Sequence, residues 1–171
     1  MRLAALFHPK ANLWNAGQQT VWVGLESTMR VNQKRVQRAD LAAQWLAQGI
    51  ISEEVGEHGL ILAQAMPVER IPGFAEGLCS VQDAGAQMAA PLLLQAMPGH
   101  SAQTRILDGC AAPGGKTAHL LELSDAQVVA LDVDPMRCER ISGNLERLGL
   151  HAQVKVGDAA DSGAWWDGQP F

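Results

Sequence analysis

The chain has 171 residues, 47% of them apolar and 18% charged, with a net charge of −5. That length holds one ordinary domain or two small ones, and the balance fits a soluble globular protein. No apolar run approaches the length of a membrane span, and residues 1–6 lack the long apolar core of a secretion signal, so the expectation is a cytoplasmic protein with no membrane segment. The charge is unevenly spread. Residues 1–100 carry 7 Lys/Arg against 8 Asp/Glu, and residues 101–171 carry 6 against 10. Totals of this sign do not support nucleic-acid binding, so only a local cluster could, and one stands at Arg30, Lys34, Arg35 and Arg38. Cys79, Cys110 and Cys138 lie far apart with no CxxC pair and no His pair at ligand spacing, which predicts reduced thiols and no metal.

In chain order, the first twenty residues read as irregular, and 21–32 as a strand rich in Val, Leu and Thr. Asp40 is the expected cap of a helix carrying Leu41, Ala42, Trp45 and Leu46, ended by Gly49. Residues 50–66 alternate weakly, as short strands do. Ile71-Pro72-Gly73-Phe74 reads as a turn and 78–81 as a strand. Asp83 is expected to open an apolar helical stretch to about Gln95, kinked or divided by Pro91. Residues 98–101 read as a linker.

From Thr104 the pattern becomes strand, glycine loop, helix, strand, helix, strand. The strands fall at 105–108, 128–131 and 154–156, and the first helix at 116–123. Val128-Val129-Ala130-Leu131 is the continuous apolar run of a parallel strand buried on both faces. Asp134-Pro135 is an N-cap followed by proline at the first helical position. The helix after it places Cys138, Ile141, Leu145 and Leu148 on one face and stops at Gly149. Such alternation predicts an α/β chain: a small α+β subdomain over 1–100, then the first half of a Rossmann-like domain over 101–171.

The loop Asp-Gly-Cys-Ala-Ala-Pro-Gly-Gly-Lys-Thr at 108–117 lies between a strand and a helix. Its small residues let backbone approach a ligand, and the helix N-terminus beyond favours a carboxylate or phosphate. Five residues separate Gly109 from Gly115-Lys116-Thr117, where a P-loop requires four, and GxGxxG is absent. Asp132 ends the second strand, where a carboxylate can accept both ribose hydroxyls. Asp158 follows Gly157 at the end of the third, where it can meet an adenine edge. Loop, acid and acid at three successive strand ends suit an adenosyl cofactor.

The residues at 108–117 resemble the cofactor loop of the RNA cytosine-C5 methyltransferases, D-x-C-A-A-P-G-G-K-T. Val-Gln-Asp-Ala-Gly-Ala-Gln at 81–87 is similar to the V-Q-D-x-x-A-Q segment of that family. Met29-Arg30-Val31-Asn32, Ile71-Pro72-Gly73-Phe74 and the Asn-Leu-Glu-Arg-Leu-Gly run at 144–149 match as well. The resemblance covers about residues 25–171 and is similar to bacterial members acting on 16S ribosomal RNA. It implies S-adenosyl-L-methionine held by Cys110, Ala111, Ala112, Pro113, Gly114, Gly115, Lys116, Asp132 and Asp158. It also implies methyl transfer to C5 of an RNA cytidine after a cysteine thiolate adds to C6, and a small subdomain that positions RNA. The family's Thr-Cys and Asp-Ala-Pro-Cys motifs do not occur in these 171 residues. The expectation is therefore a cofactor-binding part that is inactive alone, with an open sheet edge beside its first strand.

Among single residues, Cys110 is rejected as a nucleophile because it sits inside the cofactor loop. Cys79 and Cys138 are expected in the core. Lys116 is read as touching the loop or cofactor rather than as a solvated lysine. Asp134 is assigned to capping, and Asp108 to bonding backbone amides of the loop. The cluster from Arg30 to Arg38 fits RNA phosphates and a solvated face equally. Trp165-Trp166 is expected to pack on the domain rather than stack on a base. Two rival functions stay open: a non-catalytic module that binds cofactor or RNA, and a different adenosyl-dependent methyltransferase.

Overall fold

Residues 27–171 are described by the structure, a computed structural model. The reading of the first twenty residues, and the part of the 21–32 strand before Ser27, lie outside them. The first layer is an antiparallel sheet built from β1 (Ser27–Val31), β2 (Ser52–Val55), β3 (Gly59–Leu62) and β4 (Cys79–Val81), in the order β2-β3-β1-β4. Successive side chains of a strand point to opposite faces. Met29 and Val31 therefore join Leu60, Leu62 and Cys79 in a core closed by Leu41 and Trp45 of helix α1 (Arg38–Ala47). Trp45 keeps its indole N–H satisfied by donating to the Pro72 carbonyl at 2.8 Å. Arg30, between Met29 and Val31, points the other way.

Asp40 does not cap α1. The helix starts earlier, because the Gln37 carbonyl already accepts from the amides of Asp40 and Leu41, which leaves Asp40 in the first turn. Its carboxylate there still favours the positive end of the helix. Pro91 neither kinks nor divides a helix. Asp83 accepts from the amides of Gly85 and Ala86 ahead of a short 3-10 turn at Ala86–Met88, and helix α2 (Ala89–Ala96) follows directly. Pro91 is the third residue of α2, in the turn whose amides have no partner within the helix, so its missing N–H costs nothing.

The second layer is a parallel sheet of β5 (Arg105–Asp108), β6 (Gln127–Asp132) and β7 (Gln153–Val156), in sequence order. Helices α3 (Gly115–Leu123) and α4 (Pro135–Leu148) follow β5 and β6. Val128 to Leu131 are all buried, as a parallel strand covered on both faces requires. Ala90 and Leu94 of α2 share the core of this sheet with Ile106, Val128, Ala130, Cys138, Ile141, Leu145 and Leu148. At about 1.5–3 kcal/mol for each large aliphatic chain removed from water, the α4 stripe alone anchors that helix. Asp134 caps α4 by accepting from the amides of Met136 and Arg137, and Gly149 ends it at φ +68°. A short helix, α5 (Ser162–Trp165), follows β7.

The two layers meet through charged groups. Arg147 of α4 lies 3.9 Å from the centre of the Phe74 ring and donates to the carbonyls of Phe74 and Cys79 and to the Ser80 hydroxyl. Arg30 and Glu122 form an ion pair at 2.8 Å with both side chains fully enclosed. Among the described residues no helix is long and apolar enough to cross a membrane.

Candidate functional site

Because β5, β6 and β7 run parallel, Asp108, Asp132 and Asp158 lie at one edge of the sheet. Asp108 closes β5 and Asp132 closes β6. Asp158 stands two residues beyond β7, in the turn. Between Asp108 and α3 the chain makes a tight loop held from several sides. The Ala111 amide donates to the Leu131 carbonyl at 3.0 Å, and the Gly114 amide to the Ala111 carbonyl at 2.6 Å. Asn144 of α4 donates to the Pro113 carbonyl at 2.8 Å. Gly114 turns the chain into α3 at φ +96°, and a Cβ there would stand 3.2 Å from Ile141. Close packing and a left-handed backbone both demand glycine at this position.

No side chain caps the N-terminus of α3. The first amides of a helix have no partner within it, so those of Gly115, Lys116 and Thr117 form a donor set suited to a carboxylate. Asp108 does not bond the loop amides; its carboxylate accepts from the Thr117 hydroxyl at 2.7 Å and staples strand end to helix start. Thr117 lies fully buried, so its hydroxyl needs a protein acceptor, and the Asp108 carboxylate supplies it.

Asp132 is buried, 3% exposed, with its carboxylate toward the loop. It accepts from the Ala112 amide at 3.1 Å and the Asp134 amide at 3.3 Å. Arg137 approaches the same carboxylate at 3.4 Å and donates to the Ala112 carbonyl at 3.3 Å. Sequence reasoning passed over Arg137, although a signal was present: a cation in the first turn of a helix opposes the dipole and calls for a nearby acid. Asp158 is exposed and accepts from the Ala160 amide at 2.9 Å. Cys110, Pro113 and Lys116 are exposed, Ala112 and Gly115 half-buried, and Ala111 and Gly114 buried.

The thiols divide as the sequence implied. Burial pushes Cys79 up to about 12 and raises Cys138 as well, so neither is an activated nucleophile. The four basic residues do not share one exposed surface. Arg30 is fully buried, Lys34 pairs with Asp125 at 3.1 Å, Arg35 donates to the Glu76 carbonyl and Arg38 pairs with Glu54. Strand alternation sends Arg30 inward, while the others follow in a turn and helix on a different face. Lys34 and Arg35 do line a shallow hollow with Gln33, Gln37 and Asp40. Trp165 is half-buried and donates to the Asp158 carbonyl, whereas Trp166 is exposed.

An open parallel sheet with a small-residue loop, an uncapped helix start and two strand-end acids at one edge defines the Rossmann-like methyltransferase fold. Residues 94–171 match the family described as 16S rRNA methyltransferase RsmB/F. It is 45% identical over 148 residues to ribosomal RNA small subunit methyltransferase B of Pseudomonas syringae pv. tomato, an overlap of 84% of this chain and 32% of that protein. The counterpart in Vibrio cholerae is 45% identical over 146 residues, 84% of this chain and 32% of that protein. The chain thus spans about a third of the length of the curated relatives it matches. Among solved structures it is similar to a methyltransferase homologue from Pyrococcus horikoshii, with TM-score 0.68, 27% identity, and coverage of 82% of this chain and 46% of that one.

Proposed function

We propose that this chain carries the S-adenosyl-L-methionine-binding part of an rRNA methyltransferase that modifies C5 of a cytidine in 16S rRNA. The observation that carries the reading is the convergence of an uncapped α3 N-terminus with Asp132 and Asp158 at one sheet edge. The cofactor, when bound, supplies an electrophilic methyl group. The backbone of Cys110, Ala111, Ala112, Pro113, Gly114, Gly115 and Lys116 forms its cradle, and the free amides at the start of α3 take its carboxylate. Asp132 receives the ribose hydroxyls. A carboxylate offers about four acceptor sites, so room remains beside the two amides once the half-exposed Arg137 turns aside. Asp158, exposed at the neighbouring strand end, meets the adenine edge.

Residues 1–100 position RNA, and Lys34 and Arg35, exposed beside the shallow hollow although each has a protein partner, are cations that can turn to phosphates. Cys110 acts through its backbone, and no catalytic residue is assigned to the described residues. The protein acts in the cytoplasm, where it meets its RNA. Deleting the gene and mapping 5-methylcytidine in 16S rRNA by bisulfite sequencing tests the substrate: one methylated position disappears and returns on complementation. An unchanged methylation map would overturn the assignment.

A further inference from the structure

Arg30 belongs to β1 of the antiparallel layer, yet its guanidinium reaches out of that layer to both ends of α3 and to Gln82. Its Nε and Nη2 donate to the two oxygens of Glu122, each at 2.8 Å. Its Nη1 donates to Gln82 Oε1 at 2.5 Å and to the Gly115 carbonyl at 2.7 Å. Arg30 and Glu122 are each buried, and the fork is bidentate, the strongest geometry available to this pair. Gly115 opens α3 and Glu122 lies in its last turn, so one guanidinium grips both ends of the helix. The two residues share a face because Gly115, His119 and Glu122 follow the spacing of four and three, and a helical side chain leans back toward the N-terminus.

The Gly115 carbonyl is one end of a planar peptide unit whose other end is the Lys116 N–H. That N–H is among the amides left free at the start of α3. A donor that fixes the carbonyl fixes the aim of the amide, and a cationic donor also polarises it.

We propose that Arg30 is a positioning residue for the cofactor loop: through the Gly115 carbonyl it orients the Lys116 amide, so that the antiparallel layer sets the geometry of the cofactor site. This rests on the reading of residues 108–117 as that site. Arg30 touches no cofactor itself. The layer proposed to hold RNA and the loop proposed to hold the methyl donor are therefore joined by one buried side chain.

Two variants of the 171-residue chain test this. Arg30→Lys keeps the charge opposite Glu122 but loses the fork and the reach to Gly115. The double variant Arg30→Met/Glu122→Leu replaces the ion pair by apolar groups, a change that buried pairs often tolerate without loss of stability. Amide hydrogen exchange of the peptide covering residues 113–119 is measured without cofactor, and S-adenosyl-L-methionine affinity by calorimetry. Both variants are expected to exchange faster in this peptide and to bind about tenfold more weakly, the loss of one charge-assisted hydrogen bond, while still melting cooperatively. Glu54→Ala, which breaks the exposed pair with Arg38 in the same layer, leaves both readouts unchanged. Variants that exchange and bind like the unmodified chain would reduce Arg30 to interface packing. Should the unmodified chain bind no cofactor, the functional reading fails, and the exchange data alone decide the role of Arg30.

Discussion

His119 gives the protein an acid sensitivity whose size can be worked out. The residue lies on α3 against the antiparallel layer, 1% exposed, with its ring edge-on to His58 at 5.5 Å between centres. Among the described residues neither of its ring nitrogens has a hydrogen-bond partner. Burial, then the nearby Arg30 charge and His58, lower its pKa to about 3. In the unfolded chain it titrates near 6.5, so below that pH the unfolded state binds a proton that the folded state refuses. Stability from this residue is complete above about 6.5 and drains as pH falls toward 3. Between pH 7 and pH 5 the loss is about 1.5 pH units at 1.36 kcal/mol each, or about 2 kcal/mol. Glu122, raised by burial, has the opposite sign: folding favours its proton, and acid relieves its cost. His58, lowered mainly by burial, adds a smaller term of the same sign as His119. The comparison of native protein with His119→Leu subtracts both. Urea unfolding at pH 7 and pH 5 should show the native protein losing about 2 kcal/mol more than the variant over that interval. Equal losses in the two proteins would refute a buried, neutral His119.

Other consequences follow from single contacts. Gly114→Ala forces a side chain into φ +96° and within 3.2 Å of Ile141, and should cost about 1–2 kcal/mol in urea unfolding and weaken cofactor binding. Arg147→Met removes three hydrogen bonds and the ring contact with Phe74, and should cost about 2 kcal/mol by the same assay. Under native conditions a thiol reagent should label Cys110 alone, read by mass spectrometry, since Cys79 and Cys138 are buried; S-adenosyl-L-methionine should slow that labelling.

The parallel half was legible because its signals are local. The apolar run at 128–131, the Asp134-Pro135 start, the Gly149 stop and the stripe from Cys138 to Leu148 each state their own structure, and all appear in the fold. The loop was legible as a loop, and the expected acids stand at its edge. What escaped were contacts closed over long distances. The alternation Met29-Arg30-Val31 shows that Arg30 faces away from its own core, but nothing nearby announces Glu122, 92 residues along the chain. The same distance hid the loss of the basic cluster. Asp40 stands three residues past the true cap of its helix, and Pro91 five residues nearer the start of α2 than a helix opened by Asp83 would put it. Arg137 was missed because Asp132 was weighed as a ligand and not as a partner.

The central claim is that loop, helix start and two acids hold an adenosyl cofactor. Calorimetric titration of S-adenosyl-L-methionine into the chain, beside Asp132→Asn and Asp158→Ala, tests it most directly. The account predicts saturable one-to-one binding, lost in Asp132→Asn and weakened in Asp158→Ala, with both variants folded. Binding that ignores both substitutions would place the cofactor elsewhere, and no binding by the unmodified chain would contradict the account.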